Sequence, residues 1–357
     1  MKRIISIILV LFILTSLCAL CFAEREAEEK EIFTSGDFEY TIENNEAIID
    51  KYRGNANSLK IPDEIDGYPV TEIDDYAFAD CRYLISITIP DSVVNIGDDS
   101  FTFCYNLTDI IVSPEHPVLE IIDGGLYRKT DKTFIIYPRT LENTEFAIPY
   151  GIADISNSAF FGCQNLVSIT IPDTVISIGN EAFRYCHELT SITIPDSVTF
   201  IGEYAFAACS SMTSIVIPGS VTSIGNGAFS ACKSLTSVTI PDNVTSIGSA
   251  VFSDCYSLTS IIIPDSVTSI DEFAFFNCGH LASITIPDSV TFIGNCAFAE
   301  CSSMTSVTIP GSVTSIGVKA FANCPLLTLT VEKDSYAQQY AEENGLKYIY
   351  SDTSKKG

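Results

Sequence analysis

The strongest constraint on the fold of this chain is a dipeptide that returns at one fixed spacing. Ile-Pro recurs every 23 residues without a slip, at Ile171-Pro172, Ile194-Pro195, Ile217-Pro218, Ile240-Pro241, Ile263-Pro264, Ile286-Pro287 and Ile309-Pro310. A period in this range is the signature of a solenoid, in which no unit can bury its own apolar face and each stacks on the next. We therefore expect one elongated domain, although a chain of 357 residues would ordinarily suggest more than one.

Each repeat carries apolar residues in the same columns. In the repeat around Pro241 they are Phe229, Cys232, Leu235, Val238, Ile240, Val244 and Ile247. Side chains alternate along a strand, so Val238 and Ile240 point inward together, and their strand should pair in parallel with the next repeat at about 4.8 Å. The phenylalanine column predicts stacked rings on the far side of the core.

A small polar residue follows the proline by two positions in each of these repeats. The column consists of Thr174, Ser197, Ser220, Asn243, Ser266, Ser289 and Ser312. We expect these side chains to be buried and to satisfy backbone groups that the turn leaves unpaired.

The whole unit, Cys-x-x-Leu-Thr-Ser-Ile-Thr-Ile-Pro-Asp-Ser-Val-Thr-Ser-Ile-Gly-x-x-Ala-Phe, resembles the 23-residue repeat of BspA-type surface proteins, also called Treponema-type leucine-rich repeats. The resemblance extends from about Gly36 to Tyr350. It implies a β-rich leucine-rich-repeat solenoid with short parallel strands. It also implies an exported or cell-surface protein that binds matrix proteins or other cells.

The N-terminus predicts export. Met1-Lys2-Arg3, the apolar run from Ile4 to Leu14 and the small residue Ala23 form the pattern of a secretory signal peptide over residues 1–23. A lipoprotein, modified at Cys18 or Cys21, remains an alternative. No other apolar run approaches the roughly 20 residues of a membrane span. The sequence thus places the protein outside the cell or on its surface.

The rest of the chain divides around the repeats. Alternating residues on either side of Asn44-Asn45 predict a β-hairpin cap, and Ser335 with Gly345 delimits a helix that caps the other end. The predicted segments are an acidic disordered lead-in (24–35), an N-terminal β cap (36–60), the solenoid (61–332) with a β-meander insert (113–147), a helix-strand cap (333–350) and a disordered tail (351–357).

Charge limits the classes of partner. After cleavage 17 basic residues remain against 45 acidic ones, a formal charge of −28. This excess of acid disfavours nucleic acid and anionic lipid, both of which require a basic face. A protein partner from a host, a matrix or the cell envelope is the remaining expectation.

Two sets of residues are candidates for binding that partner. Arg128, Lys129, Lys132 and Arg139 make the insert basic in an acidic protein, and the alternative is that the insert is a structural elaboration of one repeat. Phe200 and Phe292 replace the usual serine of Val-Thr-Ser-Ile-Gly, and either anchor a partner or pack on a neighbouring repeat.

Two columns raise other chemistry. Ten cysteines, from Cys81 to Cys324, fall in one column, and we expect buried free thiols because their Cβ bonds point the same way; disulfides are the alternative. The aspartates that follow proline, such as Asp242, are ordinary turn residues, with calcium binding as the alternative.

We identify no catalytic, cofactor-binding or metal-binding residues. His116, His187 and His280 occupy unrelated columns, and no nucleophile elbow or phosphate-binding glycine loop is present. The sequence therefore predicts a non-catalytic, extracellular or cell-surface protein that mediates protein binding or adhesion. A self-assembling envelope protein and a carbohydrate-binding accessory protein are the alternatives.

Overall fold

The computed structural model describes residues 30–351. They form a β-solenoid of about 13 turns with short parallel strands, a C-terminal helix and capped ends. The predicted signal peptide, residues 24–29 of the lead-in and residues 352–357 of the tail lie outside the described residues.

Two series of strands run the length of the solenoid. Series A consists of β4 (Ser58–Lys60), β7 (Ser86–Thr88), β9 (Asp109–Ile111), β13 (Glu145–Ala147), β15 (Ser168–Thr170), β17 (Ser191–Thr193), β19 (Ser214–Val216), β21 (Ser237–Thr239), β23 (Ser260–Ile262), β25 (Ser283–Thr285), β27 (Ser306–Ile309), β29 (Thr328–Val331) and β30 (Lys347–Tyr350). It lies before the Ile-Pro step in the repeats that have one, and it continues through β9, β29 and β30, which lack that step. Series B follows the proline and consists of β8 (Asn95–Ile96), β14 (Asp154–Ile155), β16 (Ser177–Ile178), β18 (Phe200–Ile201), β20 (Ser223–Ile224), β22 (Ser246–Ile247), β24 (Ser269–Ile270), β26 (Phe292–Ile293) and β28 (Ser315–Ile316).

The register follows the repeat. β21 pairs in parallel with β23, and Val238 lies opposite Ile261. In these strands the central residue is buried and its two neighbours are exposed, which is the alternation that the sequence predicts.

The predicted ring stack is present. From Phe160 to Phe321 eight buried phenylalanines follow one another with centroids 5.0–5.7 Å apart and rings within 15° of parallel. The column thiols are free, and nine of them, Cys104 and Cys163 among them, donate a hydrogen bond to a backbone carbonyl of the preceding repeat. In the repeats between Cys186 and Cys324 each Sγ donates to the carbonyl of the column phenylalanine one repeat earlier, at 3.1–3.2 Å.

The small polar column makes the predicted backbone hydrogen bonds. Ser197 and Ser266, for example, donate to the carbonyls of Val175 and Val244 at 2.6 and 2.7 Å. The expectation of full burial was wrong: the serines are half-buried and Asn243 is exposed. The reason is their place in the turn after the proline, at the rim of the core, where one side of each residue faces solvent.

The N-terminal cap contains the predicted hairpin and one strand more. β2 (Phe38–Glu43) and β3 (Glu46–Tyr52) pair around Asn44 and Asn45, which both have positive φ. β1 (Phe33–Ser35) pairs with β2, so the disordered lead-in predicted as far as residue 35 was wrong at its end. Phe33 explains this strand, because its ring packs 5.6 Å from that of Tyr40. β3 pairs in parallel with β6 (Tyr68–Ile73). β6 in turn forms a hairpin with β5 (Glu64–Ile65) and pairs in parallel with β8 of series B.

The C-terminal cap confirms the predicted helix and final strand. Helix α1 (Tyr336–Glu343) begins at the N-cap Ser335 and ends before Gly345, whose φ is +65°. Tyr340 contacts Phe321 edge-on at 6.2 Å, so α1 covers the end of the ring stack. β30 then pairs in parallel with β29.

The insert is the predicted antiparallel meander, of β10 (Leu119–Ile122), β11 (Gly125–Arg128) and β12 (Thr133–Ile136). Its predicted end at residue 147 was wrong, because β13 already pairs with β15 in series A. The meander divides the core in two. Leu126 packs in the N-terminal part and Tyr127 in the C-terminal part, so adjacent residues of β11 serve opposite sides.

Candidate functional site

Two of the basic residues predicted to bind a partner make internal contacts. Arg128 pairs with Asp131 at 2.9 Å and donates to the carbonyl oxygen of Ile96 at 2.6 Å. Lys129 donates through Nζ to the carbonyl oxygen of His116. Both side chains thus fasten the meander to the repeats before it. Such contacts agree with the structural alternative for this part of the insert.

The remaining predicted residues lie apart from one another. Lys132 is exposed in the β11–β12 turn. Phe200 and Phe292 lie on β18 and β26 with 40% and 38% of their surface exposed. Both side chains are therefore partly exposed to solvent on series B. Arg139 is the one predicted residue that the structure brings into a larger group of side chains.

That group lies at the edge of the solenoid where each repeat turns back from the phenylalanine column to the next series A strand. We call it the loop-edge cluster, and it consists of Phe103, Tyr105, Arg139, Phe161, Arg184, Tyr185 and Tyr204. Phe161 is buried, whereas Phe103, Tyr105, Tyr185 and Tyr204 are 36–46% exposed. The cluster spans the junction between the two parts of the core.

The rings of the cluster pack edge to face. The Phe161 ring contacts that of Phe103 at 5.1 Å and 82°, and that of Tyr185 at 5.4 Å and 84°. Phe103 also lies 6.1 Å from Tyr105. Edge-to-face pairs of this kind stabilise their geometry by about 0.5–1.5 kcal/mol each, so the aromatic surface is held in one arrangement.

Two guanidinium groups lie over these rings. Arg139 lies 4.6 Å from the Tyr105 centroid and 5.3 Å from that of Phe161. Arg184 lies 4.9 Å from Tyr185 and 5.1 Å from Tyr204. Cation–π contacts at such distances contribute about 0.5–2 kcal/mol, more when water is excluded.

The two arginines differ in their electrostatic surroundings. Arg184 pairs with Glu181 at 2.8 Å and donates to the Tyr185 hydroxyl at 3.2 Å. Burial lowers the pKa of Arg139, and the groups nearest to it electrostatically are thiols and the Tyr105 phenol. Arg139 therefore keeps its charge without a neutralising carboxylate among the groups that act on it.

Two glycines leave room for these side chains. At Gly162, where φ is +70°, an added Cβ would lie 3.1 Å from Nη1 of Arg139. At Gly227, where φ is +63°, it would collide with the Tyr204 ring. Most repeats have other residues at these positions, so the absence of a side chain is specific to the cluster.

Sequence reasoning missed the aromatic part of this site. A signal was available, because Phe103 and Tyr185 occupy a column that holds Ala208 and Ala231 in later repeats. Arg139 lies 23 residues before Gly162, but its contact with Tyr105 could not be inferred, since the insert breaks the 23-residue spacing between those two residues.

Residues 30–351 contain no group of three or more His, Cys, Asp or Glu side chains placed to hold a metal ion. The aspartates that follow proline, such as Asp242, are exposed turn residues. His116 is buried: its Nδ1 accepts from the backbone N–H of Leu119 at 3.0 Å, which leaves Nε2 to donate to the Pro90 carbonyl at 3.1 Å. In the same described range, no helix has the length and apolar character that crossing a membrane requires.

Stacked parallel strands, a 23-residue period and capped ends define a leucine-rich-repeat solenoid. The family model for the BspA type leucine rich repeat region matches in six copies over residues 51–146, 136–255 and 222–344. The chain belongs to this BspA-type leucine-rich-repeat family.

Several solved structures are similar. A leucine-rich repeat protein from Bacteroides ovatus is 24% identical, with 90% of this chain and 100% of that one covered and a TM-score of 0.52. One from Eubacterium ventriosum is 22% identical, with 76% and 94% covered and a TM-score of 0.58. A leucine rich cell surface protein from Faecalibacterium prausnitzii is 26% identical, with 88% and 98% covered and a TM-score of 0.47. Comparison with curated protein sequences finds no match.

Proposed function

We propose that this protein is a non-catalytic, exported or cell-surface module that binds a protein partner, with the loop-edge cluster as the main contact. The observation that carries the proposal is the concentration of exposed Tyr and Phe beside two arginines at one place on the solenoid. Tyr and Arg are the residues that dominate binding energy in protein interfaces.

The rest of the surface supports this choice of site. The strand face of series A presents mainly serine and threonine, for example Ser237 and Thr239, which are exposed on β21. Such hydroxyl groups give little binding energy, since water satisfies them equally well before binding. The cluster also lies on a stacked scaffold, so the partner does not have to order it, and preorganisation improves affinity.

The other predicted contacts take a secondary place in the proposal. Phe200, Phe292 and Lys132 are exposed enough to touch a partner, but each lies away from the cluster's ring contacts. We propose them as peripheral contacts whose removal weakens binding less than removal of the cluster tyrosines. A role in adhesion follows if the partner is fixed to a host surface or matrix.

The test uses the mature chain, residues 24–357, immobilised for surface plasmon resonance against a panel of purified matrix and envelope proteins. The double variant Tyr105→Ser/Tyr185→Ser should lose at least about tenfold in affinity for any partner found. Tyr150→Ser is the matched control, because Tyr150 is 80% exposed and lies outside the cluster.

Equal binding by the double variant and the wild type would contradict the assignment of the site. Concentration-dependent self-association by light scattering, with no partner retained, would instead favour the self-assembling envelope protein. Retention of glycans alone would favour the carbohydrate-binding alternative.

A further inference from the structure

Arg139 stands apart from every other arginine in residues 30–351. Arg53, Arg82, Arg128 and Arg184 each pair with a carboxylate of this chain, at N–O distances of 2.7–2.9 Å. Within the same described range Arg139 contacts aromatic rings and has no carboxylate partner. Although the sequence contains 45 acidic residues, the partly buried Arg139 pairs with none of those in the described range.

The position of this guanidinium is fixed without an anion. The Tyr105 and Phe161 rings lie on it at 4.6 and 5.3 Å, and Gly162 provides the space beside Nη1. Stacking uses the face of the planar group. The N–H donors lie in the plane of the group and are not used by the ring contacts, and a carboxylate can accept two such donors side by side.

The surroundings favour binding of an anion. Burial has already removed part of the water around Arg139, which is why its pKa is lowered. The carboxylate of a partner would replace the water that solvated the guanidinium. In partly desolvated surroundings the attraction between the two charges is stronger than at an open surface. At physiological ionic strength charges beyond about 8 Å are screened, so the net charge of the whole chain does not prevent this local contact.

We propose that Arg139 anchors the carboxylate of an acidic segment in a protein partner, with Tyr105, Phe103 and Tyr185 packing against the apolar residues on either side of it. This inference rests on the proposed function and names the chemistry of its partner. A protein segment fits better than a sugar acid, because sugars stack on open ring faces. Here guanidinium groups and ring edges cover faces of Tyr105, Phe161 and Tyr185.

The probe is a short fluorescein-labelled peptide of alternating Glu and Leu, compared with the same peptide carrying Gln in place of Glu. Fluorescence anisotropy is measured with the mature chain at physiological salt. The Glu peptide should bind at least about tenfold more tightly, as expected for a bidentate, charge-assisted contact. Arg139→Gln should abolish that preference, and Arg139→Lys should keep only part of it, because an ammonium group cannot form the paired contact.

Arg53→Gln is the matched control, since Arg53 is exposed, pairs with Glu39 in the N-terminal cap and lies outside the cluster. Its preference for the Glu peptide should equal that of the wild type. Thermal unfolding by circular dichroism confirms that each variant is folded.

Equal binding of the two peptides, or a preference that survives Arg139→Gln, would overturn the inference. So would Arg139-dependent binding of a sialylated or uronate oligosaccharide without peptide binding, or Arg139-dependent self-association. These results are separable from failure of the proposed function. If a partner is lost with Tyr105→Ser/Tyr185→Ser but bound unchanged by Arg139→Gln, only the carboxylate inference is wrong.

Discussion

Replacing Phe229 by alanine tests whether the ring stack holds the solenoid together. Phe229 is fully buried, and its ring lies 5.5 Å from Phe206 and 5.7 Å from Phe252, nearly parallel to both. The substitution loses the transfer free energy of the ring and leaves a cavity between two repeats, which together cost about 3–5 kcal/mol. Phe229→Leu keeps most of the apolar volume but loses both ring contacts, so it should cost about 1–2 kcal/mol.

The control for this pair of variants is Phe200→Ala, which removes the same side chain from a position that is 40% exposed. Its cost should be below about 1.5 kcal/mol, because much of the ring is already in water and little cavity remains. Urea unfolding followed by circular dichroism gives the free energy of unfolding of all three variants and of the wild type.

The relative losses in free energy of unfolding of the three variants show how much the ring stack contributes to stability. A loss for Phe229→Ala no larger than that for Phe200→Ala would refute the view that the ring stack is a main source of stability. A lower m value for Phe229→Ala would show in addition that the repeats on its two sides unfold separately, as nearest-neighbour coupling in repeat proteins allows.

Three further predictions concern the thiols, the C-terminal cap and pH. Iodoacetamide should label Cys296 and Cys81 first in the native protein, since these two are only half-buried, whereas burial raises the pKa of column thiols such as Cys232 and Cys255. After unfolding without reductant it should label all eleven cysteines of residues 24–357, and fewer labelled cysteines by mass would indicate disulfides. Gly345→Ala should lower the free energy of unfolding by about 1 kcal/mol through backbone strain at φ +65°, whereas an unchanged urea midpoint would mean that the helix end is not held. Burial raises the pKa of Asp50 to about 6, so the folded state binds a proton that the unfolded state releases, and stability should rise as pH falls from about 6 towards 4; Asp50→Asn should flatten this part of the melting-temperature profile.

The repeat array was accessible from sequence for a simple physical reason. In a uniform solenoid the residue that contacts a given residue in the next repeat lies 23 positions later, so spacing alone specifies neighbours. The ring stack, the parallel register of series A and the hairpin at Asn44 all follow from columns and turn chemistry, whereas the strands of series B were not predicted. Even the helix α1 follows from local signals, its N-cap Ser335 and its terminator Gly345.

The sequence did not predict the hydrogen-bond partners or the degree of exposure of some column residues. Apart from the half-buried Cys81, the cysteine column is buried as expected, but its hydrogen bonds to the phenylalanine carbonyls depend on the distance between neighbouring repeats. Likewise the half-exposure of Ser266 and the exposure of Asn243 depend on where the turn lies relative to the rim of the core. The residue type alone does not contain that information.

The loop-edge cluster lies where prediction from the sequence ends and tertiary packing decides the contacts. By itself the sequence determined the solenoid, because its regular spacing converts position in the chain into position in space. Across the insert, the spacing no longer specifies neighbours. Asn157 donates to Asp98, 59 residues earlier, and Arg139 contacts Tyr105, and neither separation is a multiple of 23. Only the packing of the meander, which places adjacent residues of β11 in opposite parts of the core, decided which side chains meet at the loop edge.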